Sequence, residues 1–119
     1  GPLAMGLLAD KFTTESSFPA GDFRVAWIED LEQNEQYRRD LAVVDGLRPL
    51  LPEGESMAEF ALRFARSHPA VSTVIPGARD GRQSAANARA GTALLLTSAE
   101  VAGVDALVPN GGGRMIWPA

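Results

Sequence analysis

Arg79 and Arg82 flank Asp80, and Gln83 and Asn87 follow one turn apart. Their setting is VIPGARDGRQSAANA at 74–88. It reads as the end of a short buried strand (71–75), a tight turn at Pro76 and Gly77, and a helix opening at Asp80. A strand that runs straight into a helix N-terminus leaves several backbone N–H groups aimed at one spot, which carries partial positive charge and suits a phosphate. Two guanidinium groups beside it add planar, permanently charged donors. The chemistry implied is binding of a phosphate-bearing ligand. An ordinary connection with two solvated arginines is the other reading, and the spacing alone leaves both open.

The elements around this segment follow from periodicity and caps. Residues 1–8 read as the end of a strand and a turn. Residues 9–26 read as a long loop carrying Phe12, Phe18 and Phe23 and broken at Pro19 and Gly21; loops above about 12–15 residues are usually functional or disordered. Asp30 and Gln33 have the spacing of a capping box, and Tyr37, Leu41, Val44, Leu47 and Leu51 then recur on one helical face. Gly46 weakens that helix by about 1 kcal/mol relative to alanine, and it ends at Pro52, Glu53 and Gly54. Ser56 with Glu59 opens a second helix with Met57, Phe60, Ala61 and Phe64 inward, stopped before Pro69. The helix from Asp80 runs to about Ala90. Thr97 with Glu100 opens a last one that buries Val101, Val104 and Leu107. The apolar run at 71–75 suits a strand covered on both faces of a parallel sheet, and alternation of strand and helix predicts an α/β architecture. Two strands cannot satisfy their own edges, so the pattern is expected to be a slice of a larger α/β domain. A start at Gly1 rather than Met agrees with that expectation. Residues 110–119, with Gly111, Gly112 and Gly113, are expected to be a flexible tail.

Bulk properties narrow the function classes. The 119 residues suffice for one small core. With 45% hydrophobic and 22% charged residues the composition is globular. A net charge of −4 opposes a general nucleic-acid or anionic-membrane surface. The absence of cysteine rules out disulfides and thiolate metal sites. His68 is the sole histidine, and no metal-ligand spacing surrounds it, so no metal is expected. No apolar stretch approaches the roughly 20 residues of a spanning helix, and no signal peptide is visible, so a cytoplasmic location is expected.

Three segments in order, GPLAMGLLADKF (1–12), FPAGDFR (18–24) and VIPGARDGRQSAAN (74–87), resemble the C-terminal part of aldo-keto reductases, most closely the bacterial NADPH-dependent branch. The resemblance holds over residues 1–109. It implies a partial (β/α)8 TIM barrel, approximately strands 7 and 8 with their following helices, from an enzyme that reduces aldehydes or ketones with NADPH by hydride transfer. Its implied cofactor residues are Leu3, Met5 and Gly6 wrapping the pyrophosphate, and Lys11 near the same phosphates. Gly77, Ala78 and Arg79 would hold the 2′-phosphate, with Gln83 and Asn87 facing it and the adenine. The loops after strands 7 and 8 form the phosphate site in many such barrels, so the strand–helix junction and the resemblance point to the same residues.

The family's catalytic tyrosine, lysine, aspartate and histidine lie on earlier strands, and no residue here matches those positions. Tyr37 lies on a helix face where core is its simplest role. Lys11 is in the cofactor segment, and His68 ends a helix at the surface. Glu53 and Glu55 read as a solvated acidic turn, and Ser16 and Ser17 have no base nearby. Asp80 is best read as an N-cap, although its carboxylate would sit uneasily beside a 2′-phosphate. Trp27 and Trp117 either stack on a ring of the dinucleotide or pack against the barrel exterior. No catalytic residue is therefore expected in this chain, and alone it is expected to be inactive. A class apart stands a non-catalytic remnant that binds a nucleotide or a partner chain through uncovered barrel edges. Self-association, or docking with the rest of the barrel, is expected in either case.

Overall fold

The computed structural model describes residues 1–108. A 3-10 turn at Ala4–Ala9 opens it, and a second at Phe23–Val25 leads into the short helix α1, Ala26–Glu29. Helix α2 covers Leu31–Leu47 and tightens into a 3-10 turn at Arg48–Leu50; α3 is Met57–Ser67, α4 Gly81–Thr92 and α5 Ser98–Leu107.

The α/β expectation is corrected: among the described residues there is no strand, no sheet and no barrel, so strands 7 and 8 are absent. A strand exists only by pairing. Residues 71–75 find no second strand, and the one backbone hydrogen bond there runs from Val71 N–H to the His68 carbonyl, 2.9 Å, inside a turn. Without covering layers, Val71 is 38% and Ile75 86% exposed. The expected strand end at 1–8 is a left-handed turn instead, with φ of +46° at Ala4, +56° at Met5 and +97° at Gly6. Such angles cost a non-glycine residue on the order of 1–2 kcal/mol each, so tertiary contacts must hold the turn. The tail at 110–119 and Trp117 lie outside the described residues.

The helices follow their local signals. Asp30 accepts from Gln33 N–H at 2.9 Å and caps α2. Ser56 with Glu59, and Thr97 with Glu100, form complete capping boxes on α3 and α5. Each such cap contributes about 1 kcal/mol. The caps also act on the acids themselves. The Ser56 hydroxyl, first of all, holds the Glu59 carboxyl below its usual range, and the Thr97 N–H does the same for Glu100.

Helix α2 is the spine. Tyr37 and Leu41 bury with Leu7 and Trp27. Val44 and Leu47 bury with Met57, Phe60, Leu96 and Val104. Each such side chain contributes about 1.5–3 kcal/mol. Leu62 is also buried, whereas Leu107, expected inside, is 40% exposed; its Cδ2 stands 3.4 Å from where a Cβ on Gly46 would lie. Arginines of α3 stitch the second half together. Arg66 donates to the Ala90 and Ala93 carbonyls at the end of α4, and Arg63 donates to the Leu94 carbonyl and pairs with Glu55. Glu55 is therefore not the solvated acid expected of its turn: its side chain is 13% exposed in that ion pair.

Candidate functional site

The residues singled out for phosphate chemistry fall into two groups. Helix α3 packs against both the 3-10 turn at Ala4–Ala9 and α4. No hydrogen bond, ion pair or ring contact joins the two groups among the described residues.

The first group is the turn with Leu3, Met5, Gly6 and Lys11. The Leu3 carbonyl accepts from Gly6 N–H (2.8 Å) and Leu8 N–H (3.3 Å), and Gly1 accepts from Ala4 N–H. Leu7, 3% exposed, anchors the turn in the Trp27–Tyr37 cluster. Asp10, itself left-handed, pairs with Arg48 at the end of α2 at 2.7 Å. The exposed Lys11 ammonium lies 5.1 Å from the Phe12 ring centre, a cation–π distance.

Arg24 closes the FPAGDFR segment, and the sequence alone assigns it no role. Its Nε and Nη2 grip Asp22 at 2.9 and 2.6 Å, and its Nη1 reaches the Met5 carbonyl at 3.4 Å. The guanidinium carbon lies 5.3, 5.0 and 5.6 Å from the centres of Phe12, Phe18 and Phe23. The available signal was an arginine two residues after an aspartate, amid phenylalanines. Side-chain hydrogen bonds from Arg24, then its backbone N–H, hold the Asp22 carboxyl down at about 2, from an ordinary 3.8. A carboxyl depressed on folding stabilises the fold fully above its unfolded value, and that contribution is lost as pH falls through its folded value. Wild type is thus expected to lose more stability than Asp22→Asn between about pH 4 and pH 2. Urea unfolding of both at pH 5, 4, 3 and 2 checks it, and parallel acid slopes would contradict the assignment.

The second group lies on the loop before α4 and on its first turns. Asp80 caps α4 by accepting from Gln83 N–H at 2.8 Å. Gln83 Oε1 accepts from Arg79 N–H at 2.9 Å, and Asn87 Nδ2 donates to the Gly77 carbonyl at 3.2 Å. Gln83 and Asn87 thus brace the loop of Gly77, Ala78 and Arg79. The N–H groups of Gly81 and Arg82 carry no hydrogen bond, and the exposed Arg79 and Arg82 guanidinium groups make no ion pair, among the described residues. A Cβ on Gly77 or Gly81 would meet nothing within 4 Å, so the backbone there is open to a ligand. The donor set fits an anion, and the Asp80 carboxylate is an unfavourable neighbour for one.

The residues weighed for catalysis take structural places. Tyr37 is fully buried, stacks on Trp27 at 5.6 Å and donates its hydroxyl to the Thr13 carbonyl at 2.9 Å. Trp27, 3% exposed, also meets Phe12, Phe18 and Phe23 edge-on, as core rather than as a barrel-exterior contact. His68 is an exposed helix end whose Nδ1 accepts from Ala70 N–H. Ser16 Oγ accepts from Thr13 N–H in a local turn. No group of three or more potential ligands that could hold a metal exists among the described residues. No helix there is long and apolar enough to cross a membrane.

The chain is 34% identical over 112 residues to a probable voltage-gated potassium channel subunit beta from Oryza sativa subsp. japonica, an alignment that takes in 92% of this chain and 34% of the relative. It therefore spans about a third of the length of the curated relative it matches. No solved structure matches. The model of the Aldo/keto reductase family matches residues 1–109. With that match over most of its length, the chain belongs to the aldo/keto reductase family.

Proposed function

We propose that this chain is the C-terminal, cofactor-binding portion of an NADPH-dependent aldo-keto reductase of the bacterial branch, whose complete form reduces aldehydes or ketones. The family match over residues 1–109 carries this reading. Membership goes with a nicotinamide dinucleotide, NADH or NADPH, as hydride donor. Within it, the Leu3, Met5, Gly6 and Lys11 turn is assigned to the pyrophosphate. Gly77, Ala78, Arg79, Gln83 and Asn87 are assigned to the 2′-phosphate side, Gln83 and Asn87 acting in part by bracing the loop. The cofactor would supply the hydride, and these residues bind and orient it. A cytoplasmic setting goes with the proposal.

The chain alone is expected to show no reductase activity, because none of its residues takes the place of the family's acid and lysine. Carbonyl-dependent NADPH oxidation by the purified chain above a buffer blank would overturn this. Direct titration of the same sample with NADPH tests the cofactor reading separately.

The exposed apolar side chains Leu31 (87%), Ile75 (86%) and Leu94 (86%) support association with itself or with the rest of a longer parent. Sedimentation is expected to show species heavier than the monomer, and a compact monomer with one cooperative melt would contradict it. The non-catalytic, partner-binding reading draws on one observation: the matched rice protein is named as a channel subunit. A chain that failed to bind NADPH yet bound a partner chain would favour it.

A further inference from the structure

We propose that the cleft at the C-terminal end of α4 binds an aliphatic carboxylate, with the Arg66 guanidinium as its anchor. The proposal goes beyond the cofactor reading and does not use it. Helix α4 has 12 residues, so about 18 Å of helix separates this cleft from the loop at Asp80. The cleft has a volume of about 360 Å³ and lies between Arg66 near the end of α3, the stretch 71–74 and Leu95. Arg66 Nη1 donates to the Ala90 and Ala93 carbonyls at 2.6 and 3.1 Å, where a cation meets the negative end of the α4 dipole. That structural task takes one nitrogen. Nε and Nη2 make no hydrogen bond, and the guanidinium makes no ion pair, among the described residues. Those two nitrogens form one edge of a planar fork, which matches the two oxygens of a carboxylate. None of the described residues lining the cleft is acidic, so no carboxylate of the chain competes there for the fork. The α4 carbonyls discriminate between anions. Their partial negative charge penalises a doubly charged phosphate more than a singly charged carboxylate. Val71, Val74 and Leu95 give the cleft apolar walls for an aliphatic tail.

The test titrates the full chain with isovalerate and follows the Arg66 Nε–H and the backbone N–H groups of Ser72 and Thr73 by NMR. Saturable shifts at all three are expected; their absence, or shifts elsewhere only, would overturn the proposal. Isovaleramide and inorganic phosphate are expected to bind about ten-fold or more weakly. Equal binding of either would overturn it, since the site would then not read a single carboxylate charge. Arg66→Lys retains a donor for the two α4 carbonyls but loses the fork, and should raise the isovalerate dissociation constant about ten-fold or more. A Cβ on Gly91, which also lines the cleft, would meet nothing within 4 Å, so Gly91→Leu fills the cleft without crowding the helix. That variant is expected to abolish binding at wild-type helicity, and it decides the matter should Arg66→Lys fail to fold. Unchanged binding in either folded variant would overturn the proposal. Saturating NADPH is expected to leave the isovalerate shifts in place; displacement would move the carboxylate to the loop before α4 and overturn it too. Acetyl-Val-Val with a free C-terminus, compared with its C-terminal amide, identifies the source of the carboxylate. Equal binding of the two peptides would overturn the proposal. With the amide silent, a free-ended peptide that binds more tightly than isovalerate makes the ligand a chain terminus, and one that binds more weakly makes it a free acid; the site stands in both cases.

Discussion

Replacing Arg79 with alanine is expected to raise the NADPH dissociation constant about ten-fold or more and to leave NADH binding nearly unchanged. The guanidinium is exposed and makes no ion pair among the described residues, so its removal takes nothing from the fold. The loop keeps its brace, because the bond to Gln83 Oε1 comes from the Arg79 backbone N–H, which alanine retains. What the substitution removes is a charge-assisted donor pair at the mouth of α4, beside the unengaged N–H groups of Gly81 and Arg82. A charge-assisted hydrogen bond contributes about 1.5–3 kcal/mol, and 1.4 kcal/mol is a factor of ten. NADH lacks the 2′-phosphate and has nothing for that donor to meet. Paired titrations of wild type and variant decide it. Equal losses for both cofactors would place Arg79 on the shared part of the dinucleotide, and no loss for either would remove it from the site. The Asp80 carboxylate sets a second sign. It already neutralises part of the helix end by accepting from Gln83 N–H, so it competes with a phosphate for the same field.

Where the sequence was a good guide, the signal was local. Asp30, Ser56, Asp80 and Thr97 cap their helices because an N-cap needs only a side-chain oxygen and an N–H a few residues away. The stripe Tyr37, Leu41, Val44, Leu47 is buried because period and apolarity coincide along α2. Where it misled, the outcome depended on something far away in the chain. The run at 71–75 has the composition of a buried strand, but composition cannot supply a neighbouring strand, and among the described residues none exists. Ala4 and Met5 give no sign of left-handed backbone, a conformation more usual for glycine or asparagine; Leu7 in its cluster, Arg24 on the Met5 carbonyl and the Asp10–Arg48 pair hold it from outside. Glu55 looked solvated for the same reason, since Arg63 lies on the next helix. Of the two proposed phosphate groups, the loop before α4 was legible in its Asp80 cap, and neither in the strand expected to lead into it nor in the bonds by which Gln83 and Asn87 brace it. The turn at Ala4–Ala9 was legible only as a motif, without the arginine and three phenylalanines beneath it.

Tyr37→Ala is expected to destabilise the chain by about 3–5 kcal/mol, the range for an aromatic side chain removed from a core. The ring is completely buried and stacks on Trp27 at an interplanar angle of 29°, within the cluster that also holds Leu7 and Leu41. A cavity there undermines the turn through Leu7 and the long loop through Thr13, so two connections loosen together. Tyr37→Phe separates the ring from its hydroxyl. It removes only the bond to the Thr13 carbonyl, worth about 1 kcal/mol net, and the carbonyl can turn toward water because Thr13 is exposed. Urea unfolding of the three proteins should therefore rank wild type, Tyr37→Phe and Tyr37→Ala in that order, the second step being two or more times the first. The same pair of variants tests whether Tyr37 has a chemical role. A buried hydroxyl already donating to a backbone carbonyl is not available to protonate a substrate, so Tyr37→Phe should leave NADPH affinity unchanged, and in a complete parent enzyme it should leave turnover unchanged as well. A loss of turnover at intact stability would move Tyr37 from the core to the chemistry, and would mean that the complete protein opens this cluster to its substrate.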